Sequence, residues 1–354
     1  MYNWEDNVRK VEPYVPGEQP KEKNIIKLNT NENPYGPSKN VQKVLDNMDG
    51  DMFRKYPDEK ASELVNEIAE FHNISSDHVF VGVGSDDVLG MAFMTFFNSD
   101  KKILFPDISY SFYPVWAEML KIPYETCPLD DNFRINIEDY FKENGGVVIA
   151  NPNAPTGILL EKDDVVKIIE NNKDSIVIID EAYIDFAKEG SSVIDLVDDY
   201  DNLLVVRTFS KSRSLAGLRV GYAVANPLII KYINDVKYSY NSYTMNYASI
   251  ALGKAVLKDN DYFLDTISKI KNTREWFSSE LEKRDFDVLP SSTNFVFATH
   301  RSVSAKEIFE NAKKNKIFVR YFNLPKIDNY LRITIGTDEE MKAVISFLDE
   351  FLTK

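Results

Sequence analysis

The chain has 354 residues, 44% of them hydrophobic and 28% charged, with a net charge of −14. That acidity argues against a nucleic-acid or anionic-membrane partner, so an anionic substrate must be caught by a local basic pocket and not by the overall field. No apolar stretch reaches the length of a membrane span, and the opening Met1-Tyr2-Asn3-Trp4-Glu5-Asp6 has no hydrophobic signal core. The single cysteine, Cys127, excludes an internal disulfide framework, and the three histidines lack metal-ligand spacing. The composition reads as that of a soluble cytoplasmic protein, and the length predicts one large domain plus a smaller one.

Residues 1–40 are rich in Pro, Asn and Gly, notably Leu28-Asn29-Thr30-Asn31-Glu32-Asn33-Pro34-Tyr35-Gly36-Pro37. Proline removes donors and glycine loosens the backbone, so this segment reads as an arm that crosses a site. Helical spacing follows from Glu59 to Phe71, then a strand over Val79 to Val83 and an apolar helix from Asp86 to Phe97. Strands are predicted at Ile103 to Phe105, Gly146 to Ala150, Ile176 to Asp180, Leu203 to Arg207 and Val220 to Ala225, with a helix at Asp163 to Glu170. Strands separated by helices imply an α/β class with a mostly parallel, helix-covered sheet over residues 41–235. Beyond Leu228 the character changes. Charged helical segments run from about Tyr247 to Arg284, followed by short strands (Phe295 to Thr299, Leu331 to Ile335) and an amphipathic helix from Glu339, which reads as a smaller α+β domain over 236–354.

Two apolar runs end in reactive groups. Ile176 to Ile179 ends in Asp180-Glu181, and Leu203 to Val206 leads into Arg207-Thr208-Phe209-Ser210-Lys211. Such runs read as buried parallel strands, whose C-terminal edges hold ligands in open α/β sheets. A carboxylate on one edge and an amine on the next suit pyridoxal phosphate, which takes an Asp partner for its ring nitrogen and a Schiff-base lysine. A helix cap or a metal ligand is an equally ordinary use of the first motif. Gly84-Ser85-Asp86-Asp87 opens a helix, where free N–H groups bind phosphate or an acidic side chain simply caps. Tyr110, just after a strand, either stacks on a planar cofactor or is a half-buried tyrosine. Asn151-Pro152-Asn153-Ala154-Pro155-Thr156-Gly157 is a rigid turn that aims Asn153 at the sheet edge. Arg219 suits a bidentate phosphate contact beside the Ser210 hydroxyl.

Taken in order, Tyr56, the Gly84 turn, Tyr110, Asn153, Asp180, Tyr183, Ser210-Lys211 and Arg219 resemble the fold-type I, PLP-dependent aminotransferases over nearly the whole chain. Within that group, Asn31-Glu32-Asn33-Pro34-Tyr35-Gly36-Pro37, Tyr56-Pro57-Asp58 and Leu331-Arg332-Ile333-Thr334-Ile335-Gly336-Thr337 are most similar to the histidinol-phosphate aminotransferases. The resemblance implies a homodimer with shared sites and a ping-pong transamination of L-histidinol phosphate with 2-oxoglutarate (glutamate in reverse) in histidine biosynthesis. It also implies residue roles. Lys211 forms the Schiff base and carries the proton. Asp180 pairs with the ring nitrogen. Asn153 and Tyr183 bond the ring oxygen, and Tyr110 stacks on the ring. Ser85, Asp86, Ser210 and Arg219 surround the phosphate, with Tyr56 reaching it from the neighbouring subunit. Arg332 binds the substrate anion, with Arg320 and Tyr14 nearby.

The sequence departs from the pattern at Ser85-Asp86-Asp87, at Ser212-Arg213-Ser214, and at Ala154, where a second asparagine is commoner. An aromatic amino-acid aminotransferase and a threonine-phosphate decarboxylase-like enzyme share nearly all of these cofactor residues. A transcriptional regulator built on the same domain carries a DNA-binding domain ahead of it, for which the arm is too short. A nucleotide-binding dehydrogenase is excluded because no G-x-G-x-x-G follows the early strands.

Overall fold

The computed structural model describes residues 3–353. Its largest feature is a seven-stranded sheet. The strand order is Val79–Gly82, Gly221–Ala225, Leu203–Thr208, Val177–Asp180, Gly146–Ala150, Ile103–Pro106 and Tyr124–Cys127. All neighbours are parallel except Gly221–Ala225, which runs against both of its partners. The continuous apolar runs follow from burial on both faces. Val147, Ile149, Val177, Ile179, Leu203 and Val205 face one core, and Val148, Ile178, Leu204 and Val206 face the other. A buried side chain of this size contributes roughly 1.5–3 kcal/mol.

Helices Ser62–His72, Lys162–Asn171 and Tyr247–Leu257 contribute to the first core, and Ser85–Phe96, Phe112–Leu120 and Pro227–Tyr240 to the second. Helices 112–120 and 227–240 were not expected. The predicted helical stretch 247–284 is in fact two helices, because the Asp259 side chain caps a new start by accepting from Tyr262 N. The core of the large sheet therefore continues through Leu257, past the change of character near Leu228.

A second, antiparallel sheet has the order Arg320–Tyr321, Leu331–Thr334, Phe295–His300 and Phe286–Val288. Helices Asn260–Glu282, Ala305–Lys314 and Asp338–Leu352 pack on it. The last opens with a capping box between Thr337 and Glu340. Upstream, Ile26–Lys27 pairs in parallel with Ile317–Phe318. Leu28 N donates to Phe318 O at 2.7 Å, and Thr334 N donates to Leu28 O at 3.0 Å. The segment following Leu28 is thus tied to the smaller sheet while it passes the edge of the larger one.

Candidate active site

The parallel register aligns Ala150 with Asp180 and Asp180 with Val206, so the strand ends open at one level. There Ser85, Asp86, Tyr110, Asp180, Tyr183, Ser210, Lys211 and Arg219 line a single pocket of about 110 Å³, together with Ala150, Ala154, Ala182 and Thr208. Eight of the residues singled out in the sequence therefore meet.

Asp180 is buried. Its Oδ2 accepts from the Tyr113 hydroxyl at 3.0 Å and its Oδ1 from Ala182 N at 3.2 Å. Loss of water pushes its carboxyl up to about 6, against the pull of those two hydrogen bonds. No cation pairs with it among the described residues. Lys211 Nζ donates to the Thr30 carbonyl at 3.1 Å and lies 5.8 Å from the Tyr183 ring centroid.

A polar cup at one end of the pocket is built from a turn and a helix start. Gly84 has φ +85°, and a Cβ there would fall 2.4 Å from Arg219 Nη2. A Cβ on Gly221 would sit 2.3 Å from the backbone of Gly84 and Ser85. Arg219 Nη1 donates to Ser210 Oγ at 3.4 Å and Nη2 to Asp86 Oδ2 at 2.9 Å. Asp86 Oδ1 accepts from the Tyr110 hydroxyl at 2.7 Å, and burial with this neighbouring charge raises the Tyr110 phenol. The Asp86 carboxylate repels a phosphate, so its side chain serves to hold Arg219 and Tyr110, and its contribution to an anion is its helix N–H.

A second cavity of about 670 Å³ shares Tyr110 and is also lined by Tyr14, Arg320 and Phe322. Tyr14 stacks on Phe112 with centroids 4.2 Å apart. Arg332 is half-buried beside the rings of Phe295 and Phe322, 5.3 and 5.6 Å from their centroids. Its Nη2 donates to Asn29 O at 3.1 Å, while Nε is buried with no partner. Burial lowers its guanidinium below the ordinary arginine range. Arg320 lies 5.3 Å from the Phe322 centroid, and neither arginine is paired with a carboxylate among the described residues.

Asn153 and Tyr56, the latter expected to serve a neighbouring subunit, line neither of these two cavities. Asn153 does not face the pocket. Its Nδ2 donates to Ile108 O and Thr156 Oγ1, and its Oδ1 accepts from Ser109 Oγ at 2.8 Å, so the rigid turn consumes the amide it was expected to present. The methyl group of Ala154 forms the wall instead. Tyr56 is 78% exposed, beside the ring of Tyr243, and lies outside this pocket. Three contributors were not anticipated. Tyr113 sits within the helix that follows the Tyr110 turn. Asn31 Nδ2 donates to the Tyr183 hydroxyl at 2.9 Å, and Thr30 supplies the carbonyl on Lys211. Behind the lysine, Arg207 is held by Glu181, Asp185 and Ser192, and Ser212 donates to Asp185 at 2.5 Å.

Residues 23–348 match the aminotransferase class I and II family, and the chain belongs to it. It has the fold-type I architecture of the PLP-dependent aminotransferases. Histidinol-phosphate aminotransferase of Clostridium beijerinckii is 53% identical to it, across 98% of this chain and 96% of that protein. The Lactococcus lactis subsp. cremoris protein of the same name is 50% identical, across 99% and 98%. The crystal structure of histidinol-phosphate aminotransferase from Clostridium acetobutylicum superposes with a TM-score of 0.85 at 25% identity, covering 93% of this chain and 99% of that one.

Proposed function

We propose that this protein is a pyridoxal-phosphate-dependent transaminase acting on L-histidinol phosphate and 2-oxoglutarate, in histidine biosynthesis. The carrying observation is a buried, unpaired carboxylate, Asp180, sharing one small pocket with Lys211 and an anion cup, in a chain half identical to proteins named for this reaction. The residues fit the cofactor. Asp180 lacks the cation that a protonated ring nitrogen supplies. Ser210, Arg219 and the start of helix Ser85–Phe96 suit a phosphate, and Gly84 and Gly221 keep the space that a Cβ would fill.

When bound, pyridoxal phosphate supplies a carbonyl that condenses with amines and a ring that draws electrons from the substrate's Cα. Lys211 Nζ would be the nucleophile toward that carbonyl and, as a free amine, the base that would move the substrate's Cα proton. The Thr30 carbonyl holds Nζ toward the pocket while it waits. Asp180, largely removed from water, would hold the ring-nitrogen proton, a contact strengthened by the low local dielectric. Arg219 and Ser210 would anchor the phosphate, and Tyr110 would pack on the ring. Arg332, with its free Nε, and Arg320 receive the substrate's anion, phosphate in one half-reaction and carboxylate in the other, which a planar guanidinium accepts alike.

Tyr56 reaches the phosphate of a second subunit in this reading. Support comes from its exposure together with Phe53, Tyr240 and Tyr243, an apolar surface suited to burial between copies. We read the chain as an arm, a large cofactor domain and a small domain, divided near 40 and, because helix Tyr247–Leu257 packs in the large-sheet core, near 257 in place of the expected 235, working in the cytoplasm. No helix of the described residues is long and apolar enough to cross a membrane. A side-by-side donor screen tests the substrate. Histidinol phosphate should exceed histidinol, phenylalanine, tyrosine and threonine phosphate in kcat/KM, and a better rate with any of these replaces the named donor.

A further inference from the structure

We infer that Asn31 is a positioning residue that aims the Tyr183 hydroxyl into the cofactor pocket, the role on the ring oxygen that Asn153 was expected to share. The inference rests on the pyridoxal-phosphate reading above.

The local bonding fixes its direction. Asn31 is 1% exposed. Its backbone N donates to Thr334 Oγ1 at 3.0 Å, and the Thr334 hydroxyl donates to Asn31 Oδ1 at 3.1 Å. Asn294 Nδ2 holds the Asn31 carbonyl at 3.0 Å. With Oδ1 occupied by a donor, the amide has one sense, and Nδ2 faces the Tyr183 oxygen at 2.9 Å. An amide nitrogen has only hydrogens to offer. The phenol oxygen therefore accepts, and its own hydrogen must point away from Asn31. Tyr183 lines the same pocket as Lys211, so that hydrogen is left for an acceptor there.

Among the described residues no other asparagine donates to the Tyr183 hydroxyl. Asn153 is committed to Ile108, Thr156 and Ser109, and the nearby wall is the methyl group of Ala154. The donor on the ring oxygen is then Tyr183, and its aim is set from the smaller sheet through Thr334 and Asn294.

The test reads the bound cofactor's spectrum. A hydrogen bond to the deprotonated ring oxygen favours that form, so losing it raises the pH midpoint of the visible absorbance change. Asn31 has φ 57°, a left-handed conformation that glycine adopts freely, so Asn31→Gly removes the amide and keeps the backbone. Four holoenzymes are titrated: wild type, Asn31→Gly, Tyr183→Phe and the double variant. The expected result is a midpoint raised by about 0.5–1 pH unit in Asn31→Gly, the size of one neutral hydrogen bond. Tyr183→Phe should shift at least as far, and adding Asn31→Gly to it should add nothing. Thr334→Val, which frees the amide to turn, should shift in the same direction by less, and it decides the matter if Asn31→Gly does not fold. A purely structural Asn31 would lower the melting temperature with an unmoved midpoint, which overturns the inference. Equal shifts with and without Tyr183 also overturn it. An unmoved midpoint in Tyr183→Phe itself removes the ring-oxygen reading, and the inference with it.

Discussion

The Tyr113 hydroxyl donates to Asp180 3.0 Å away, and burial still lifts the carboxyl to about 6. Without the cofactor, ionised Asp180 is thus a strained group. A folded-state value above the unfolded one means the proton stabilises the fold. That stability is full below about pH 4 and is lost as pH rises through about 6. Near pH 8 the cost reaches about 3 kcal/mol, two pH units' worth. Calorimetry of cofactor-free Asp180→Asn should show a melting temperature a few degrees above wild type at pH 8, and no gain near pH 4. With cofactor bound the order should reverse, since asparagine cannot pair with a protonated ring nitrogen. Turnover of Asp180→Asn should fall by orders of magnitude. Equal melting curves at pH 8 would show that Asp180 is not destabilised by burial.

Borohydride reduction of holoenzyme should fix the cofactor to one peptide, the one containing Lys211. Lys211→Ala should lose that label and bind pyridoxal phosphate only reversibly. Mass spectrometry of the reduced variant decides it, because a label on another lysine would move the nucleophile.

Arg332→Ala should lower kcat/KM for histidinol phosphate and for glutamate, each by about 2–5 kcal/mol, since one charged contact serves both. Arg332→Lys should recover little, for a point charge cannot reproduce the fork. Single-turnover absorbance measurements on each half-reaction separate the two. Loss in only one would divide the anion work between Arg332 and Arg320.

Gly221→Ala should weaken cofactor binding more than it weakens the fold. Its new methyl would press on Gly84 and Ser85 at 2.3 Å and push the helix start away from the phosphate. Equilibrium dialysis should give a dissociation constant raised at least tenfold, about 1.4 kcal/mol. Unchanged affinity would mean the cup has room to yield.

Mixing Tyr56→Ala with Lys211→Ala protein, each inactive or nearly so alone, should restore part of the activity if Tyr56 serves a partner's site. The assay is the time course of recovery after subunit exchange, verified by native mass spectrometry. Exchange with no recovery would place Tyr56 outside the partner's cofactor site.

Much of this was legible in the chain because burial on both faces forces a continuous apolar run, and Asp180 and Ser210-Lys211 interrupt such runs abruptly. The strand limits at Gly146–Ala150 followed the residues closely for that reason. Helix Phe112–Leu120 was not read from the chain, where attention fell on Tyr110 at the strand end and not on the residues that follow it. Asn153 misled because a motif fixes where a residue sits and not where its amide points. The cluster Asn31-Glu32-Asn33 was visible as an arm across a site. The work of Asn31 was not, because its partners Asn294 and Thr334 lie about 260 and 300 residues away, and no local pattern records that meeting.

Asn29, Thr30 and Asn31 touch Arg332, Lys211 and Tyr183 in turn, and the approach to them is set by the two-rung pairing of Ile26–Lys27 with Ile317–Phe318 and the Leu28 bonds that continue it. That short ladder acts as an indexing pin. One residue inserted between Lys27 and Asn29 would advance the chain by about 3.3 Å. Arg332, Lys211 and Tyr183 would all lose these contacts together, although no side chain in the pocket had changed.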